Sequence, residues 1–194
     1  VNTLTEANYQ ATGLLADVTH EGQLVKAASQ LAESYEQIDV LINCAGGNMP
    51  GAVVTPDQNL TDADAEGLDE VMKLNYMGTF LPTKAFLSLF DRQGEGSIIN
   101  ISSMAAGRPL TRVLGYSSAK AAVDNLTKWL SVEFQHKYPG NLRVNAVAPG
   151  FFLTTQNKEL LTQADGSLTD RGQQIISHTP AGRFGDPEDL LGVC

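Results

Sequence analysis

Residues 96–120 read GSIINISSMAAGRPLTRVLGYSSAK, and this stretch decides both the fold and the chemistry. Gly96 bounds a short isoleucine-rich run, Ser97 to Ile101, the pattern of a strand buried on both faces in a parallel sheet. Ser102 and Ser103 stand at its end, followed by a loop with Gly107 and Pro109, and then by Tyr116 and Lys120. On a helix those two lie four residues apart, so both side chains leave the same face. An ammonium beside a phenol favours the phenolate and pulls its pKa down from about 10. Tyr116 is thereby a plausible proton donor and acceptor near neutral pH.

The segments on either side alternate between strand and helix patterns. Downstream, a helix from about Val113 to His136 carries the Tyr–Lys pair, and Leu142 to Ala148 reads as a strand closed by Pro149–Gly150. Upstream, Thr61 opens a long helical pattern to about Phe90, and Ile38 to Cys44 is an apolar strand. Glu21 to Gln37 has the helical period, with Leu24, Val25, Ala28, Leu31 and Ala32 apolar. Ala11 to Ala16 reads as a strand ending at Asp17. Residues 151–185 are irregular, with short helical pieces, and read as a mobile flap over a site. Strands alternating with crossover helices imply an α/β fold, a doubly wound parallel sheet with right-handed connections, in one domain over residues 1–194.

The chain resembles the short-chain dehydrogenase/reductases, whose Ser, Tyr-x-x-x-Lys and Asn tetrad interconverts alcohols and carbonyls with a nicotinamide cofactor. The family's serine lies 13 residues before the tyrosine, which selects Ser103 over Ser102. The resemblance implies that Tyr116 exchanges the proton, Ser103 holds the oxygen, and Lys120 tunes Tyr116 while binding the nicotinamide ribose. Asn75, in K-L-N-Y-M-G, would distort its helix and hold a water of the proton relay; it also suits a satisfied core amide. Asp17 with Val18 would meet the adenine, or cap the next helix. In N-C-A-G-G, Asn43, Ala45 and Gly46 would let the backbone approach the cofactor ribose, with Cys44 an inert small hydrophobe. In P-G-F-F-L-T, Pro149, Gly150 and Phe152 would touch the nicotinamide carboxamide, and Thr154 a phosphate.

The resemblance narrows further to a sugar-acid branch, the D-mannonate (fructuronate) oxidoreductases, through I-N-C-A-G-G-N-M-P and the stretch from Asn157 to Leu190. Asn48 would stand near substrate hydroxyls, and Arg108 or Arg112 could meet a carboxylate, although a solvated loop charge suits either arginine as well. A 3-oxoacyl thioester or gluconate-type keto reductase is the alternative, as is a non-catalytic dinucleotide-sensing subunit. The family's glycine-rich phosphate loop has no match in residues 1–37, so the expectation is a piece of a domain of roughly 250 residues. The residue that separates NAD from NADP would follow a strand of that missing part, so either cofactor is open.

Composition agrees with an ordinary globular protein. The 194 residues carry 13 basic and 22 acidic side chains, a net charge of −9 that argues against nucleic acid and anionic membranes as partners. No apolar run approaches a membrane span, no signal peptide is visible, and Cys44 and Cys194 are too few for a disulfide framework. The expectations are a cytoplasmic protein, no metal, a small-molecule substrate, and a homotetramer paired through the two long helices.

Overall fold

β2 (Gly96–Ile101) is the middle strand of a three-stranded parallel sheet, between β1 (Val40–Asn43) and β3 (Leu142–Val147). The computed structural model describes residues 1–91, 94–108, 110–138, 141–155 and 157–193, with residue 91 described by its backbone alone. Pro109 and Cys194 therefore lie outside the described residues. Ile98 pairs with Leu41 and Val144, and Asn100 with Asn43 and Ala146, so one set of alternating side chains faces a common layer of helices. Ile98, Leu142 and Val144 meet Phe90, Leu126, Leu130 and Phe134 there in the main core. Ile98 and Ile99 are both buried, as a central strand requires. On the opposite face Val40 and Ile42 stay half exposed, and Arg143 and Asn145 are exposed.

α6 (Leu114–Lys137) is the long helix expected around Tyr116 and Lys120. It buries Ala119, Val123, Leu126, Leu130 and Phe134, steps of three and four that keep one stripe on the sheet. α2 (Glu21–Ser34) buries Leu24, Ala27 and Ala28 and packs on α4 (Gly78–Phe86). It ends three residues before the expected Gln37, where Tyr35 turns extended. A short α1 (Asn2–Glu6) precedes it and buries nothing.

Two expectations are corrected. Residues 11–16 form no strand: the run is apolar, but no described strand lies beside it to complete a ladder. Leu14 and Ala16 instead line a small hollow against the end of β1. The single helix from Thr61 to Phe90 is in fact a 3₁₀ turn (Leu60–Asp62), α3 (Ala65–Met72), a π-helical turn (Lys73–Met77), α4 and α5 (Ser88–Asp91). Asp64 starts α3 by accepting from Glu66 N. The π turn arises because the Asn75 side chain takes the Val71 carbonyl at 2.9 Å, displacing the backbone bond of an α turn. Pro82, inside α4, removes a further backbone donor just downstream.

Beyond β3 the chain forms α7 (Lys158–Leu161), α8 (Asp170–Ser177) and a 3₁₀ turn (Pro187–Leu190). A parallel bridge between Phe152 and Gly185 folds this region back over the strand ends. Among the described residues no helix is long and apolar enough to cross a membrane.

Candidate active site

The carboxyl ends of β1, β2 and β3 open together, the place where parallel α/β sheets bind ligands. A cleft of about 550 Å³ lies there, lined by Gly47 and Asn48 after β1, Ser103 after β2, Tyr116 on α6, and residues 149–154 after β3. Ser103 and Tyr116, separated by a loop and the first turn of α6, thus face one space. Ser102 is 2% exposed and turns inward, its hydroxyl 3.5 Å from the Lys120 carbonyl. The Ser103 hydroxyl oxygen accepts from Ala105 N at 3.1 Å, so its own hydrogen is free to be donated into the cleft.

Lys120 runs beneath Tyr116, its Nζ 5.6 Å from the ring centroid and donating to the Ile101 carbonyl at 2.7 Å. Burial of the ammonium, opposed in part by Cys44 and Asp124, lowers its pKa below the ordinary 10.5. Among the described residues the buried ammonium has one hydrogen-bond acceptor for its three donors. Asn75 is fully buried, and its amide hydrogens are spent on the Gly47 and Val71 carbonyls while Oδ1 accepts from Gly47 N. A relay water at its side chain has only a spare lone pair of Oδ1 to use. Gly46 closes this corner: a Cβ there would sit 2.6 Å from Asn75 Oδ1 and 3.3 Å from Lys120 Nζ. The strand-end turn, the π turn and α6 can meet because position 46 has no side chain.

A polar chain runs under the cleft through the core. Thr79 Oγ1 donates to the Asn75 carbonyl and Thr83 Oγ1 to the Thr79 carbonyl, each at 2.8 Å. Asn43 Nδ2 donates to Thr83 and Asn100, and Asn100 Nδ2 reaches Thr127 on α6. Every link is buried, which holds α4, the sheet and α6 in one register. The Asn43 side chain is therefore committed to the core, and only its backbone is available to a ligand.

Val18, Asn43, Cys44 and Ala45 surround a second hollow of about 220 Å³ beside β1. Cys44 is exposed. The Asp17 carboxylate accepts from Thr19 N and Thr19 Oγ1, both at 2.8 Å, and these bonds hold its pKa low. That is the turn-forming use of an aspartate. Asn48 joins the cleft, but neither arginine does: Arg108 lines a depression with Ser117 and Ser118, and Arg112 lines a hollow with Asp170, Arg171 and Gln174.

Several lining residues carried no readable signal. Met104, Leu110, Val113 and Leu190 are unremarkable apolar residues that only the fold brings to the cleft. Asn157 was legible: it follows the 149–154 turn closely, and its amide clamps that turn by donating to the Phe152 carbonyl and accepting from Thr154 N, both at 2.8 Å. Such short-range side-chain bonds are what asparagine does after a turn.

A profile of the short chain dehydrogenase family matches residues 1–165. The chain belongs to the short-chain dehydrogenases. It is an oxidoreductase of the alcohol/ketone class, and the cofactor is NAD or NADP. Over its whole length the chain is 41% identical to the uncharacterized oxidoreductase UxuB of Bacillus subtilis (strain 168), spanning 71% of that protein. Over 93% of its length it is 33% identical to the 2-dehydro-3-deoxy-D-gluconate 5-dehydrogenase of Dickeya dadantii (strain 3937), spanning 65% of that protein. Its fold superposes with a TM-score of 0.87 on an NAD-bound, provisionally assigned D-mannonate oxidoreductase from Haemophilus influenza, at 39% identity over 99% of this chain and 71% of that one.

The residues present fit the nicotinamide half of such a cofactor. The Lys120 ammonium has donors to spare for ribose hydroxyls, and a Cβ at Gly150 would meet nothing within 4 Å, so the backbone beyond β3 can be approached closely. In this short-chain dehydrogenase Tyr116, Lys120, Gly150 and Phe152 would hold that half, while Val18 and Ala45 would flank the adenosine side.

Proposed function

We propose that this short-chain dehydrogenase interconverts the alcohol and ketone of a sugar acid of the D-mannonate/D-fructuronate type. The observation that supports the chemistry is the convergence of the Ser103 hydroxyl and the Tyr116 phenol on one cleft, with the Lys120 ammonium beneath the phenol. A nicotinamide held at this cleft would supply or accept the hydride. Tyr116 delivers the proton to the carbonyl oxygen in reduction and removes it in oxidation. Ser103, its oxygen already engaged by Ala105 N, donates its hydrogen to the same oxygen. As the proton leaves Tyr116, the developing phenolate is stabilised by the Lys120 ammonium, in a setting of low polarity where that attraction counts for more. Asn75 acts by holding the Gly47 backbone and the π turn in place. A non-catalytic sensor has no use for the serine–tyrosine convergence.

The substrate class is supported by the likeness to the Haemophilus protein and to the Dickeya dadantii dehydrogenase. Within the cleft, Asn48 supplies the polar contact for substrate hydroxyls. Met104, Leu110, Phe151 and Leu153 make much of the remaining wall apolar, and this favours a second reading, a less polar ketone or acyl thioester. A panel of both classes, compared by kcat/KM with NAD and with NADP, decides between them. Faster turnover of acyl thioesters overturns the sugar-acid assignment.

A homotetramer belongs to this reading. Trp129 and Val132 lie outward on α6 at 59% and 60% exposure, while Leu126 is buried in the core and Phe80 and Met72 pack against it. Light scattering that reports a monomer at micromolar concentration refutes it. A cytoplasmic setting is part of the same reading.

A further inference from the structure

Residues 183–190 cross the mouth of the cleft with almost no regular structure, yet they are tied down at several points. Gly185 N donates to the Phe151 carbonyl at 2.8 Å, and Gly185 pairs with Phe152 as an isolated bridge. A Cβ at Gly185 would lie 2.4 Å from the Phe152 ring, so the two are in close contact. Further along, Arg183 grips Asp189 with both ends of its guanidinium, Nη1 to Oδ2 at 2.8 Å and Nη2 to Oδ1 at 2.9 Å. Arg183 also donates to the Phe184 carbonyl, and Asp189 Oδ2 accepts from Asp186 N. The 3₁₀ turn Pro187–Leu190 contains Asp189 and ends directly after it, and its Pro187 and Leu190 line the cleft.

An exposed ion pair contributes little to global stability, but a forked one with further hydrogen bonds fixes geometry. The Arg183 fork, with help from Asp186 N, holds the Asp189 carboxyl down at about 2, so the pair stays charged at any pH where an enzyme works. Its separation along the chain is short, and Pro187 inside it and Leu190 directly after Asp189 line the cleft.

We propose that the Arg183–Asp189 fork is a clasp that positions Pro187 and Leu190 as one wall of the substrate cleft, making both charged residues positioning residues for carbonyl-substrate binding. This rests on the cleft being the substrate site of the proposed reaction. With the clasp open, Leu190 loses its fixed place, and the substrate loses a contact made equally in the ground and transition states. The mark of such a loss is a raised KM with kcat retained.

The test is a double-mutant cycle in the full-length enzyme, Arg183→Ala and Leu190→Ala singly and together, with Arg183→Lys and Asp189→Asn as milder variants. Arg183→Ala is expected to raise the substrate KM about tenfold, leaving kcat within about twofold and dinucleotide affinity unchanged. Arg183→Lys, which keeps the charge but not the fork, recovers only part of this. In the double variant the two effects are less than additive, because Arg183 acts through Leu190. Hydrogen exchange gives a readout that needs no substrate: the amides of residues 186–191 exchange faster in Arg183→Ala and Asp189→Asn, while those of α6 do not change. Additive effects, an unchanged KM, or unchanged exchange in residues 186–191 overturns the proposal, as does a joint fall in kcat, dinucleotide affinity and Tm. Faster exchange together with a wild-type enzyme inactive on every carbonyl tried leaves the clasp standing and refutes the proposed reaction instead.

Discussion

Replacing Asn75 with alanine should cost this enzyme a measurable part of its stability before any catalytic effect is considered. The side chain is fully buried and makes three bonds, to Gly47 O at 2.8 Å, Val71 O at 2.9 Å and Gly47 N at 3.1 Å. Truncation leaves all three backbone groups without this partner. Gly47 is only half buried, so water can reach its two groups, and each of those losses is worth about 0.5–1 kcal/mol. Val71 is fully buried, and an orphaned carbonyl there costs about 1–3 kcal/mol. Its cost falls to the low end if the π turn relaxes to an α turn and Asn75 N takes the Val71 carbonyl. The sum is about 2–5 kcal/mol, which at roughly 2–4 °C per kcal/mol for a domain of this size lowers Tm by roughly 4–20 °C. Thermal unfolding followed by circular dichroism, with urea denaturation to obtain the free energy, measures it. A variant whose Tm stays within about 2 °C of the parent would mean that the π turn does not depend on this amide, and the account of the active-site corner fails.

Three further outcomes are expected. Tyr116→Phe lowers kcat by about 10²- to 10⁴-fold and leaves dinucleotide affinity near that of the parent, checked by reduced-cofactor absorbance and by titration calorimetry; retained turnover removes Tyr116 from the chemistry. Gly185→Ala forces a methyl to within 2.4–2.6 Å of the Phe152 ring, so the ring or the 183–190 segment must shift, and substrate KM rises more than kcat falls; an unchanged KM argues that this contact does not shape the cleft. Burial lowers the Lys120 pKa below 10.5, so the folded state binds fewer protons than the unfolded one between the lowered value and 10.5. The penalty for the buried ammonium is complete below the lowered pKa and is relieved as pH rises through that window, so this group makes stability increase with pH. Urea unfolding of the parent and Lys120→Met from about pH 7 to 10 should show the difference moving in the parent's favour; movement the other way reverses the assignment.

Legibility in the sequence followed the range of the forces involved. The runs at 96–101 and 142–148 carry their own apolar pattern, and the structure has β2 and β3 there within a residue or two. The Tyr116/Lys120 pair needed only helical spacing, and α6 spans both. The choice of Ser103 over Ser102 came from a spacing of 13 residues, and in the fold the two neighbouring hydroxyls point respectively into the cleft and into the core. Local composition misled in two places. The Ala11–Ala16 run has strand character, but a strand exists only through the backbone it pairs with, and sequence-local pattern contains no partner. The 61–90 pattern is helical throughout, yet Asn75 and Pro82 break its hydrogen bonding in ways that hydrophobic period does not register.

What the sequence determined by itself was the candidate chemistry: which side chains have the types and spacing to exchange a proton, and the strand ends and helix turn that present them. The tertiary structure decided what surrounds them. It spent the Asn43 and Asn75 amides on the core and the backbone, kept Arg108 and Arg112 out of the cleft, and brought Leu190 across it, behind the Arg183–Asp189 fork. The physical reason is that a residue's reactivity depends on its own atoms and near neighbours in the chain. Its exposure and contacts depend on segments dozens of residues away, which meet only when the sheet and its helices close on one core.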